Sequence, residues 1–151
     1  MKTIRLHAVA ALTTACLAAA AFSPSAFARD TIESYSVDEA LHSEPGIVED
    51  DVALYFAGQP HPAVANSLGE AATNRKTNAL GKGDEPACQH VFLSAVRALQ
   101  DRARRDGGNA VIDIRSNYRG DETSSPTTFV CGAGVFVAGV ALKGEVVTLR
   151  R

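Results

Sequence analysis

The sequence has no excess of positive charge, few aromatic side chains and no long apolar run beyond its N-terminal segment, and each shortage removes a class of function. Lys and Arg number 15 against 17 Asp and Glu, for a formal charge of −2. A nucleic-acid binder needs a cationic surplus to neutralise phosphates, so that class is set aside. With 46% hydrophobic, 21% charged and 6% aromatic residues in 151, the chain reads as one small soluble domain, not a disordered, fibrous or multi-span membrane protein.

Motifs are missing as well. No GxxxxGK[ST] phosphate loop is present, because GKGDE at 81–85 lacks both the upstream glycine spacing and a Ser or Thr after the lysine. CxxC, HExxH and GxSxG are absent too, which removes the spaced signatures of zinc and acyl-transfer chemistry. No cofactor is expected.

What is present begins with an export signal. Lys2 and Arg5 precede an apolar stretch over 6–22, and Ala26 and Ala28 form an A-x-A cleavage site. The stretch is interrupted by His7 and two threonines and falls short of the ~20 apolar residues a spanning helix needs. Residues 1–28 therefore read as a cleaved signal peptide and 29–151 as a single exported domain, periplasmic or secreted, with no membrane span after cleavage. A lipoprotein reading would acylate Cys16, but Thr13 stands where a lipobox takes Leu, and apolar sequence continues past the cysteine. Cleavage removes two cations and no acid, leaving a mildly acidic domain.

Of three cysteines, Cys16 leaves with the signal, so Cys88 and Cys131 remain in a compartment where disulfides persist. Their pairing is expected to be structural. The rival reading is a thiol oxidoreductase using Cys88, although redox pairs are usually close in sequence.

Along the mature domain, Pro45 and Gly46 close a short helix expected over 37–42, and the apolar run 52–57 reads as a buried strand. A Pro-rich turn at 59–62 leads to a second strand over 63–73. The stretch NRKTNALGKGD at 74–84 is polar and aperiodic, hence a loop, with Asn74 and Lys76 as candidate ligand-binding residues. The clearest element is an amphipathic helix over 85–106, with Asp84 as N-cap, Pro86 in the first turn, and Phe92, Ala95, Val96, Leu99 and Ala103 at helical spacing. Cys88 falls on that stripe. Arg102, Arg104 and Arg105 complement the helix dipole, and Gly107 or Gly108 supplies a left-handed stop. A strand over 109–115 places Ala110, Ile112 and Ile114 on one face and Val111 off it. After a polar loop, one long strand or a pair follows over 127–149, where four glycines suggest bulges or close backbone approach. The fold class expected is α+β, one main helix packed on a mostly antiparallel sheet.

His42, His61 and His90 survive in the mature chain, and their convergence with acids such as Glu70 or Asp84 would make a metal site of imidazole and carboxylate, or support a metal-dependent hydrolase. Three unrelated histidines is the simpler reading, and no metal residues are assigned. His61, between two prolines, is the most rigidly presented and is taken as a candidate ligand-binding residue.

FAGQPHPAV, KTNA and GGNAVIDIRSNY, with the run from Cys88 through VCGAGVFVAGVAL, carry a resemblance. The chain resembles small exported proteobacterial proteins often labelled "excinuclease ATPase subunit", a label that the missing phosphate loops and zinc cysteines do not support. Over about 88–143 it is also similar to the YbjQ-type heavy-metal-binding fold and to the RcsF-type lipoprotein domain that senses envelope stress. That resemblance implies an α+β domain used for binding, assembly or signalling, with ring-like oligomers in the YbjQ-type group and two disulfides in the RcsF type. The function expected is an exported non-enzymatic binding or interaction module of the cell envelope, with an unknown protein or small ligand as partner and homo-oligomer formation open.

Overall fold

A computed structural model describes residues 30–150; the expected signal peptide, the expected cleavage site and Cys16 lie outside the described residues. The chain is α+β. Its elements are β1 (Asp30–Ser36), α1 (Val37–Ser43), β2 (Ala53–Phe56), β3 (Val64–Asn78), α2 (Asp84–Asp106), β4 (Ala110–Tyr118), β5 (Asp121–Thr123), β6 (Thr128–Gly134) and β7 (Val137–Leu149).

Seven strands form one sheet, in which only the β2–β4 pair is parallel. β7 is its hub. One edge of β7 is taken along its whole length by β3, from Val64↔Leu149 to Asn78↔Val137. Its other edge must then be shared end to end, by β4 over 142–147 and by β6 at Ala138 and Gly139.

The helix α2 lies across one face because its apolar stripe has nowhere else to go. Ala87, Cys88, Val91, Phe92, Ala95, Val96, Leu99 and Ala103 are all buried, and full burial of each large side chain contributes roughly 1.5–3 kcal/mol. From the sheet, Val111, Ile114, Val140, Leu142 and Val146 meet them. Phe92 stacks on Phe129 at 4.0 Å between ring centroids and on Phe56 at 5.9 Å, joining helix, β6 and β2. Beside that stack, Cys88 and Cys131 stand at disulfide distance, 2.04 Å between sulfurs, and tie α2 to β6.

Two glycines in succession end α2 for different reasons. Gly107 takes φ +78° and its N–H reaches the Ala103 and Arg104 carbonyls, the left-handed stop. Gly108 is where the chain passes over β7: a Cβ there would stand 2.7 Å from Val146 Cγ1 and 3.0 Å from the Val147 carbonyl. Asn109 then holds the last residue of β7, its Oδ1 accepting from Leu149 N and its Nδ2 donating to Leu149 O.

Several expectations are corrected. Asp84 is not the N-cap; that position is Gly83, without a side-chain cap, and the Asp84 carboxylate instead accepts from Thr31 Oγ1 of β1. Residues 74–78 are not loop but the end of β3, since their backbone finds partners along β7 as far as Val137. The short helix expected over 37–42 is α1, and residues 30–36 before it, to which the sequence reading gives no element, form β1 against β6. Arg104 does more than face the helix dipole: it binds Asp51, Glu49 and Asp101 and clamps the segment before β2 to α2.

The β4 register also differs from expectation. Asp113 takes φ +49° and the pairing with β7 shifts between Ile112 and Arg115. Such a bulge exchanges faces. Val111 and Ile114 therefore both join the core under α2, while Ala110 and Ile112 belong to a smaller cluster with Val147 on the opposite face.

Candidate functional site

Side chains alternate across a strand, so the residues of β7 between those facing α2 lie on the outer face of the sheet. That face changes character along its length. Val147, with Ala110 and Ile112, anchors an apolar cluster at one end. In the middle, Arg115 Nη2 donates to Glu70 at 3.0 Å and its Nη1 to Asp113 at 3.0 Å, while Arg115 Nε and Lys143 Nζ donate to opposite oxygens of Glu122 at 2.9 and 2.7 Å. These two cations hold the Glu122 carboxyl down at about 2. Towards the far end come Ala141 and Gly139, which offer almost no side chain, and the face opens into a recess.

The recess has a volume of about 500 Å³ and is bounded by Asp30, Asn74, Lys76, Tyr118, Arg119 and the glycines 132, 134 and 139. Its floor is the point where Gly132 and Gly139 face each other across the β6–β7 hairpin. Here the absence of a side chain is required, since a Cβ on Gly132 would fall 1.8 Å from Tyr118 Oη. The Tyr118 ring thus occupies space that two glycines leave open, and it forms a wall.

Arg119 and Gly120 are the two central residues of the β4–β5 hairpin, with φ +56° and +91°. Positive φ at both is the geometry of a two-residue hairpin turn whose twist matches the strands. The turn is tethered: Arg119 Nη2 donates to both Asp30 oxygens at 2.8 and 3.1 Å, and its guanidinium carbon lies 5.3 Å from the Tyr118 ring centre. The same wall borders a second recess of about 320 Å³ against β1, reaching Ile32, Ser34, Thr123 and Val130.

Opposite the wall, Asn74 and Lys76 are two residues apart on β3 and share a face. Their β7 partners are Ala141 and Gly139. Both side chains are exposed, and Lys76 has no ion pair among the described residues. The arrangement gathers an amide, an ammonium and a phenol ring around a small floor, which are groups suited to hydrogen bonding and stacking.

The third candidate lies elsewhere. His61, in the link between β2 and β3, is exposed, with Nδ1 2.8 Å from Pro62 O and its ring 5.6 Å from that of Tyr55. His42 has its Nδ1 2.7 Å from Asp38 O, and His90 pairs with Glu44 at 2.7 Å. No group of three His, Cys, Asp or Glu able to hold a metal stands together among the described residues. Cys88 and Cys131 are 0% and 1% exposed, and thiol exchange requires access to a sulfur.

Tyr118 and Arg119 are site residues that the sequence reading does not single out. The signal available was the Arg119-Gly120 dipeptide between residues of strand character, together with the glycine pair that makes room for a ring. No family model matches the chain, and no curated protein or solved structure matches it either.

Proposed function

We propose that this chain is an exported binding module of the cell envelope, which presents the outer face of its sheet to a ligand around Asn74, Lys76 and Tyr118. The observation that carries the reading is the recess itself: a glycine floor, a tethered aromatic wall and two uncovered polar side chains on a rigid ladder. Sites on strands are held more closely than sites on loops. The groups present can bind, stack and donate hydrogen bonds, and Arg119 is already committed to Asp30.

Export is supported by the charged start, the apolar stretch and the A-x-A motif, and by the resemblance to small exported proteobacterial proteins. A buried cysteine pair at disulfide distance is compatible with an oxidising compartment. No helix among the described residues is long and apolar enough to cross a membrane.

A fragment library screened by ¹⁵N–¹H NMR tests the assignment. Fragments that bind are expected to shift the amides of Asn74, Lys76, Gly132 and Gly139 together, and Asn74→Ala with Lys76→Ala should weaken them about tenfold, equivalent to roughly 1.4 kcal/mol. Shifts confined to other surfaces, or binding indifferent to those substitutions, would contradict it.

A further inference from the structure

β3 is a strand of 15 residues with β7 as its only partner among the described residues. A long free edge is a template for pairing with another chain, and proteins ordinarily blunt one with bulges, prolines or charges. The first part of β3 is blunted in this way, with register shifts between Val64 and Asn66 and between Ser67 and Gly69. From Gly69 to Asn78 the ladder runs without a shift and contains no proline. Charge is the remaining safeguard: Arg75 lies on the face that carries α2 and is exposed, and on the outer face the two charges are of opposite sign at positions symmetric about Thr73.

Glu70 and Lys76 lie on the same outer face, opposite Glu145 and Gly139 of β7. We propose that two copies of this chain pair antiparallel along the free edges of β3, centred on Thr73, to give a two-fold dimer with a continuous sheet. A two-fold axis normal to the sheet keeps the outer faces of both copies on one side, so the axis must run midway between the two copies of one residue, each standing directly opposite the other. With Thr73 on the axis, Glu70 of each copy stands opposite Lys76 of the other, twice over. Shifting the centre to Ala72 or Asn74 sets Glu70 against Asn74 or Asn78, and Lys76 against Leu68 or Ala72. Only the Thr73 register satisfies both charges. Directly opposed residues of opposite charge stabilise a strand pair, and like charges destabilise it.

This dimer does not depend on the recess binding a ligand, although Lys76 stands at the rim of both. Ligand binding is read from amide shifts, association from sedimentation, so either proposal can fail while the other stands.

Sedimentation velocity on the protein purified from cells expressing the full chain is the test. The wild type is expected to be dimeric at about 100 μM and to dissociate as salt rises. Lys76→Glu alone and Glu70→Lys alone each place like charges opposite one another twice, and each should sediment as a monomer. An equimolar mixture of the two variants restores both attractive pairs and should dimerise. Because Glu70 also binds Arg115, a second readout avoids it: Thr73→Cys should form an interchain disulfide under mild oxidation and Arg75→Cys should not, since only residues directly opposite come within disulfide reach. A monomeric wild type, a dimer that tolerates Lys76→Glu, or a mixture that stays monomeric would overturn the proposal.

Discussion

Gln100 is fully buried in the middle of α2, yet both its amide nitrogen and its carbonyl oxygen have partners. Its Nε2 donates to the Glu49 and Val52 carbonyls at 2.6 and 2.9 Å, and its Oε1 accepts from Glu49 N at 3.3 Å. The segment before β2 is thereby pinned to the helix from inside, while Arg104 pins it from outside. Gln100→Leu keeps the volume but strands a buried carbonyl, which costs about 1–3 kcal/mol; thermal unfolding should show the loss, with the fold retained by circular dichroism. Glu122 supplies a different test. The Lys143 and Arg115 cations hold its carboxyl at about 2 in the folded chain, below the ordinary glutamate range, so its contribution is complete above that range and fades as pH falls towards 2. The melting temperature of the wild type should therefore drop across that window, and Glu122→Gln should drop less. Asp51, lowered by its bond to Arg104, titrates in the same direction, so the slope should shrink without vanishing.

Elements were legible where one periodicity dominated. The stripe from Phe92 to Ala103 marks α2 to within a residue or two, and a stop at Gly107 or Gly108 is legible because glycine takes a left-handed φ freely; the structure puts it at Gly107. β1 was obscured because half its residues face water and its pairing partner lies about 100 positions away. The end of β3 was hidden by polarity on both faces: nothing in NRKTN alternates, and only the ladder to β7 makes it a strand. The bulge at Asp113 defeated a simple alternation, since a single extra residue moved Ile114 to the opposite face. The recess was half legible. Asn74 and Lys76 were named as candidates in a loop, but the structure sets them on a strand, and Tyr118 required knowledge of where two glycines meet.

At the scale of the whole molecule, one covalent tie among the described residues joins the layers. The pairing of Cys88 with Cys131 spans 43 residues, and closing such a loop stabilises by about 4 kcal/mol in the chain-entropy model. Replacing both cysteines with alanine should lower the melting temperature by about 15 °C, while a reactive role for Cys88 would instead leave the melting point intact. The recess lies on the outer face of the sheet and this tie on the other, so the double variant should still bind fragments at Asn74 below its melting temperature. Export and closure of the Cys88–Cys131 disulfide are tested together, and most directly, by an intact mass spectrum of the protein recovered from cells expressing the full sequence. The expected mass is that of residues 29–151, lighter by two hydrogen atoms than the reduced chain. A mass that retains residues 1–28, with Cys88 and Cys131 as free thiols, would contradict it.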